Sequence, residues 1–261
     1  MGIILKSPRD LAAMRTAGRV AYRSIMRVRE HARAGMTTAD IDRLMWETFK
    51  SAGGESLSKW YPTYKRGKGF PGETCVSVND EVVHGIPGER VIQDGDLVTA
   101  DCAFRLGGYC IDTAYTLMIG NVAPEAARMC KVSQEALELA IREIRPGLRW
   151  SIIAGKMQQL VESAGFSCVR EFVGHGIGKS MHEDPKVPNV VTDDLRKKGQ
   201  DFTLTPGMTL AVEPMVIQGN YEVVTLTDGW TIVTKDHTPA CHYEHTIAVT
   251  ATGCEVLTDG R

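Results

Sequence analysis

The sequence predicts an α+β domain made of two pseudo-symmetric helix–helix–strand halves, and three observations carry that expectation. Helical patterns alternate with apolar runs of strand length. A stretch of helix recurs 112 residues further on, at Gly35 and again at Gly147. Acidic residues interrupt or bound several of the apolar runs, where a folded core would bury them.

The first half opens with Ser7-Pro8, a helix cap followed by a first-turn proline. Leu11, Met14, Gly18, Ala21, Ile25 and Val28 then recur at helical spacing, and Gly35 ends the unit. A second helix is expected from Thr37 or Thr38 through Ile41, Leu44, Met45 and Phe49 to a stop at Gly53-Gly54. The second half repeats this order. A helical pattern from about 124 to 144 precedes "GLRWSIIAGKMQQLVESAGF", which aligns with "GMTTADIDRLMWETFKSAGG" so that Ile41 matches Ile153 and Ser51-Ala52-Gly53 matches Ser163-Ala164-Gly165. The register extends into the strands. "DGDLVTAD" and "TPGMTLAVE" align through Gly95 and Gly207, and both are expected to be apolar strands ending on a carboxylate, Asp101 and Glu213. One domain spanning 1–261 is expected, with repeats at roughly 8–120 and 124–255.

The acids are the chemical signal. Asp101 follows the apolar run Leu97 to Ala100, and Asp112 interrupts another beyond a hairpin turn at Gly107-Gly108, so adjacent antiparallel strands can bring both to one site. Glu213 is expected inside an apolar strand, and Glu244 starts one. Four close carboxylates repel one another, and no lysine or arginine lies in these strand cores to compensate. Divalent cations are the economical counter-charge. His175, expected in a loop where flanking glycines permit a tight turn, is the natural imidazole ligand to add.

Other chemistries are excluded. "GHGIGKS" suggests a phosphate-binding loop, but the motif needs a glycine where Val173 stands, and this stretch lies deep in the chain. A net charge of -2, from 30 basic and 32 acidic residues, leaves no footprint for nucleic acid. Seven cysteines without a C-x-x-C pair argue against disulfides or a thiolate zinc site and favour a reducing, cytoplasmic setting. The N-terminal apolar run is too short for a signal peptide, Lys6 breaks the myristoylation pattern, and no stretch is long enough to span a membrane.

With His84 in "VVHGIP", Asp101, Asp112 in "DTAYT", His175 in "GHGIG", His182 in "MHEDP", Glu213 in "AVEPM" and Glu244 in "YEHTIAVT", the chain resembles the type I methionine aminopeptidases from about Ser7 to Leu257. The resemblance implies the pita-bread fold, two pseudo-symmetric α/β halves around a curved antiparallel sheet. It also implies removal of N-terminal methionine from nascent proteins and peptides with a small second residue, by a hydroxide that two divalent metals activate. Co, Mn, Fe(II), Zn and Ni are the candidate ions. Asp101 would chelate one ion, His175 and Glu213 the other, and Asp112 and Glu244 would bridge them. Glu213 would also shuttle the proton, and His84 and His182 would contact substrate. Phe70, Cys75 and Trp230 match positions of the methionine pocket. The implied partners are nascent chains at the ribosome, with neither nucleic acid nor membrane bound by the protein itself, and the enzyme would be a cytoplasmic monomer without a zinc-finger extension or a type II insertion. Two details depart from the family pattern: Ala103 stands where a hydroxyl residue is frequent, and Cys110-Ile111 precede Asp112 where small or polar residues are common. The rival readings are a proline-specific peptidase of the same fold and a metal-free binding module.

Overall fold

The computed structural model describes residues 2–62, 69–196 and 201–261. The first half contains α1 (Pro8–His31), α2 (Thr38–Ser51), β1 (Glu55–Ser56), β2 (Cys75–Val78), β3 (Glu81–Val83), β4 (Leu97–Leu106) and β5 (Tyr109–Met118). The second begins with α3 (Pro124–Glu143), α4 (Trp150–Ser163), β6 (Ser167–Cys168), β7 (Gly174–Gly176), β8 (Glu183–Val187) and α5 (Asp193–Arg196). It continues through β9 (Thr209–Val212), β10 (Met215–Ile217), β11 (Val223–Thr225), β12 (Ile232–Thr234), β13 (Ala240–His242), β14 (Glu244–Val249) and β15 (Cys254–Val256).

Local chemistry sets the helix ends. Ser7 caps α1 in a reciprocal box with Asp10, and Thr37 caps α2 in the same way with Asp40. At the equivalent position before α4 stands Arg149, which makes no side-chain cap. Asp201 takes over from a distant segment, accepting from the Ser151 amide at 3.0 Å and from its hydroxyl at 2.7 Å.

The 112-residue register holds in the backbone. The bridge Thr37–Val91 reappears as Arg149–Thr203. The bond from the Gly35 amide to the Ile92 carbonyl reappears from Gly147 to Leu204, both at 2.9 Å. Gly35 and Gly147 have φ of 90° and 85°, a left-handed conformation in which other residues are strained.

The main sheet is antiparallel and curved, in the order β1-β4-β5-β14-β9-β7-β8, with β2 on β4 and β15 on β14. Each helix pair covers its own half. Met14, Ile41, Met45 and Phe49 pack with Val98 and Phe104, while Met129, Trp150, Ile153 and Met157 pack with Leu210 and Val212. The approach is close where α1 crosses the chain after β15. A Cβ on Gly18 would fall 1.8 Å from the Leu257 carbonyl oxygen. Gly18→Ala is expected to cost about 1–3 kcal/mol by overpacking, read as a lowered midpoint in urea or thermal unfolding.

Two expectations are corrected here. The strand holding Asp101 does not end there; β4 runs on to Leu106, because Cys102 to Phe104 are as apolar as the residues before it. Glu213 is not inside a strand. It sits between β9 and β10, which belong to different sheets, and Pro214 lacks the N–H needed to continue the ladder.

Candidate active site

Asp101 and Asp112 share one face of the β4–β5 hairpin. Asp101 lies opposite Ala114 and Asp112 opposite Ala103, so the two are diagonal neighbours. The hairpin turns at Gly107 and Gly108, both with positive φ. Ala103 offers no hydroxyl to the residue across from it, and Asp112 Oδ1 has no hydrogen-bond partner among the described residues.

Beyond Asp112 the neighbouring strand is β14, and threonine hydroxyls tie β5 to β14 and to the preceding strand, β13. Thr246 Oγ1 donates to the Asp112 carbonyl at 2.7 Å and accepts from its amide at 3.1 Å. Thr116 Oγ1 donates to the His242 carbonyl at 2.9 Å and accepts from its amide at 2.9 Å. Glu244 is thereby set opposite Ala114, on the register that carries both aspartates.

His175 lies at the centre of β7, not in a loop, paired with Ala211 of β9 and Lys186 of β8. Its glycines serve close approach rather than a tight turn. A Cβ on Gly174 would sit 2.2 Å from the Ala211 carbonyl oxygen, and one on Gly176 2.2 Å from that of Asp184. His175 Nε2 lies 3.8 Å from Asp112 Oδ2 and 3.8 Å from Glu213 Oε1. Ligand atoms of Asp112, His175 and Glu244 all fall within 4.8 Å of one another.

These residues line one cavity of about 220 Å³ together with Asp101, Glu213, His84 and His182. Phe70, Cys75 and Trp230 line it too, with Phe70 edge-on to Trp230 at a centroid distance of 5.4 Å. His84 has a φ of 59° and turns its ring edge onto Phe172. His182 is edge-on to His175 at 4.4 Å and shares a 3.0 Å hydrogen bond between its Nδ1 and the Tyr61 hydroxyl. The next residue, Glu183, is anchored by a buried ion pair to Lys6 at 2.5 Å and accepts from the Ser180 amide at 3.1 Å, which pins the turn bearing His182. All ten residues expected at the site therefore meet in one place.

Sequence reasoning missed Tyr61, Met181, Met215 and His242, which line the same cavity. Only His242 carried a signal, an imidazole two residues before an acid that bounds an apolar strand.

The electrostatics are lopsided. No lysine or arginine lines the cavity among the described residues. Burial pushes Asp101 up to about 7. Burial raises Asp112 well above the carboxylate range, and the charge of Asp101 adds to it. Glu213 and Glu244 are raised for the same two causes, burial first and neighbouring carboxylates second. Burial and the nearby His182 hold His175 and His84 down at about 4, so both imidazoles are neutral near pH 7. Orphaned oxygens on Asp112 and Glu244, beside a neutral imidazole, are a donor set that fits divalent cations.

The model for metallopeptidase family M24 matches residues 12–251. Methionine aminopeptidase 1 of Bacillus subtilis (strain 168) is 42% identical over 256 residues, covering 98% of this chain and 99% of that protein. The crystal structure of a methionine aminopeptidase from Thermotoga maritima superposes with a TM-score of 0.91 at 38% identity, over 98% of this chain and 99% of that one. A prolidase from Pyrococcus horikoshii OT3 shares the fold alone, with a TM-score of 0.77 at 19% identity over 99% of this chain and 64% of the prolidase. By its family match, its whole-length likeness to methionine aminopeptidases and its curved sheet flanked by paired helices, this chain belongs to metallopeptidase family M24 and carries that family's pita-bread fold.

Proposed function

We propose that the chain removes the N-terminal methionine from nascent proteins and peptides, preferring a small second residue, and that it works with two divalent ions. The observation that supports this reading best is the uncompensated group of buried carboxylates around one neutral imidazole, in a cavity that also contains Phe70, Cys75 and Trp230. Asp101 would hold one ion, His175 and Glu213 the other, and Asp112 and Glu244 both. Oxygen donors with one imidazole suit Mn, Fe(II), Co, Zn or Ni. When bound, such a pair acidifies water at neutral pH and polarises the scissile carbonyl.

The remaining work falls to this chain's own residues. Glu213 has its carboxylate at the cavity wall and takes the proton that must travel from water to the leaving amine. His182 is kept neutral by burial. His182 shares a hydrogen bond with the Tyr61 hydroxyl through Nδ1, and in the tautomer in which that hydroxyl donates, its Nε2–H is the group that donates to the developing oxyanion. His84, which lines the same cavity, contacts the substrate amide. Phe70 and Trp230 pack the methionine side chain, and the Cys75 thiol, kept protonated by burial and by Asp101, adds a soft contact to its sulfur.

The reading extends to a monomer that meets its substrates as they leave the ribosome in the cytoplasm. No helix among the described residues is long and apolar enough to cross a membrane.

A panel of Met-X-Gly peptides, assayed with each candidate ion in turn, tests the activity. Cleavage is expected when X is Gly, Ala or Ser and is expected to fall steeply for Leu or Phe. Release from X-Pro peptides, with Met-Ala-Gly left intact, would instead assign the site to a proline-specific peptidase.

A further inference from the structure

His242 has no part in the five-residue ligand set, yet it is built into the site. It is 2% exposed, and neither ring nitrogen has a hydrogen-bond partner among the described residues. A buried imidazole left unbonded is costly, so its position needs a cause. The backbone that carries the ring is held firmly. Thr116 grips the His242 amide and carbonyl together, and β13 holds the residue opposite Met215 of β10.

His242 Nε2 points between two carboxylates, 3.8 Å from Glu213 Oε2 and 3.9 Å from Glu244 Oε2. It faces the oxygen of Glu213 that His175 does not, since His175 lies 3.8 Å from Oε1. The two histidines thus bracket one carboxylate, each opposite a different oxygen. Both separations from His242 exceed a hydrogen bond, by a margin that a small rotation of either carboxylate closes.

We propose that His242 is a positioning residue of this site. Its Nε2–H donates to the Oε2 atoms of Glu213 and Glu244 and so decides which oxygen of each carboxylate turns toward the ions. Histidine ligands are commonly held this way by a bond to their second nitrogen. Here a histidine does the holding, and carboxylates are held. The inference rests on the two-ion reading above.

Three variants test it in the full-length protein, after removal of metal with a chelator. A glutamine amide reaches the place of Nε2, an asparagine amide only that of Nδ1, and phenylalanine keeps the flat ring without either nitrogen. Calorimetric titration with Mn(II) or Co(II) measures ion affinity, and a Met-Ala-Ser peptide gives kcat and KM. His242→Asn and His242→Phe are expected to lose ~10–100-fold in ion affinity and in kcat, with little change in KM, whereas His242→Gln keeps both. Matching melting temperatures of the stripped proteins separate these losses from misfolding, and if one of the two impaired variants does not fold, the other decides. Wild-type affinity and kcat in His242→Phe or His242→Asn would overturn the proposal. Equal damage in the glutamine variant would overturn it too, by showing that ring shape rather than the donor matters. A wild-type protein that takes up no metal sinks the two-ion reading itself, and a loaded wild type beside an unimpaired phenylalanine variant sinks only the role of His242.

Discussion

Asp112→Ala is expected to remove methionine-releasing activity almost completely, by ~10³-fold or more, because it withdraws a carboxylate proposed to serve both ions. The same change is expected to leave the fold intact. The Asp112 amide and carbonyl are bonded to the Thr246 hydroxyl, and neither bond involves the carboxylate that is lost. Asp112 is also a carboxyl whose ionisation burial disfavours, so removing it takes away one of the groups that cost the metal-free protein stability as pH rises. The stripped variant should therefore melt no lower than stripped wild type while binding metal poorly. Peptide turnover and thermal melts, run side by side, check both halves of this expectation. Near-normal turnover would mean that the site has been misplaced.

Metal removal should have the other large effect, and its size should depend on pH. A carboxyl that ionises less readily in the folded chain than in the unfolded one supports folding while it stays protonated. That support is lost as pH rises from the unfolded value of about 4 through the folded one. Asp101, raised to about 7 by burial, and the still higher Asp112, Glu213 and Glu244 all act in this direction. The stripped protein should thus lose stability from about pH 5 upward, most steeply between about pH 5 and pH 7, and less steeply once Asp101 has ionised. Bound cations replace the protons, and they bind better as pH rises. The gap in melting temperature between loaded and stripped protein is expected to widen with pH and to reach roughly 10 °C at saturating metal near pH 8. A gap that stays constant from pH 5.5 to pH 8 would show that these carboxyls do not govern the site.

Much of the fold and of the site was legible in the chain because it rests on local chemistry. Ser7-Pro8 and Thr37 announced helix starts, and the structure has α1 and α2 beginning one residue after each cap. The 112-residue echo was visible because glycines needed at left-handed positions recur with it. Asp101, Asp112 and Glu244 stood out because a carboxylate in an apolar run is costly to bury unless a cation or a proton meets it. What stayed hidden depends on partners far along the chain. Nothing around Lys6 reveals that it pins the turn of His182 through Glu183. His175 read as a loop residue because its strand is three residues long and two of them are glycines, a composition that resembles a turn until Ala211 is seen pressed against Gly174. His242 was overlooked because its meaning lies in the two carboxylates it faces, only one of which is near in sequence.

The threonine seam has a consequence for how the two halves depend on each other. Thr246, from the second half, grips the backbone of Asp112 in the first, and Thr116, from the first, grips that of His242 in the second. The exchange is mutual, so each half lends the hydroxyl that steadies the other's site backbone. A polypeptide of half this length would carry its own helix pair and strands, yet its site residues would hang from an unsupported edge. Only by meeting a second such half, in the same chain or in another, would it gain the grip that makes those residues useful.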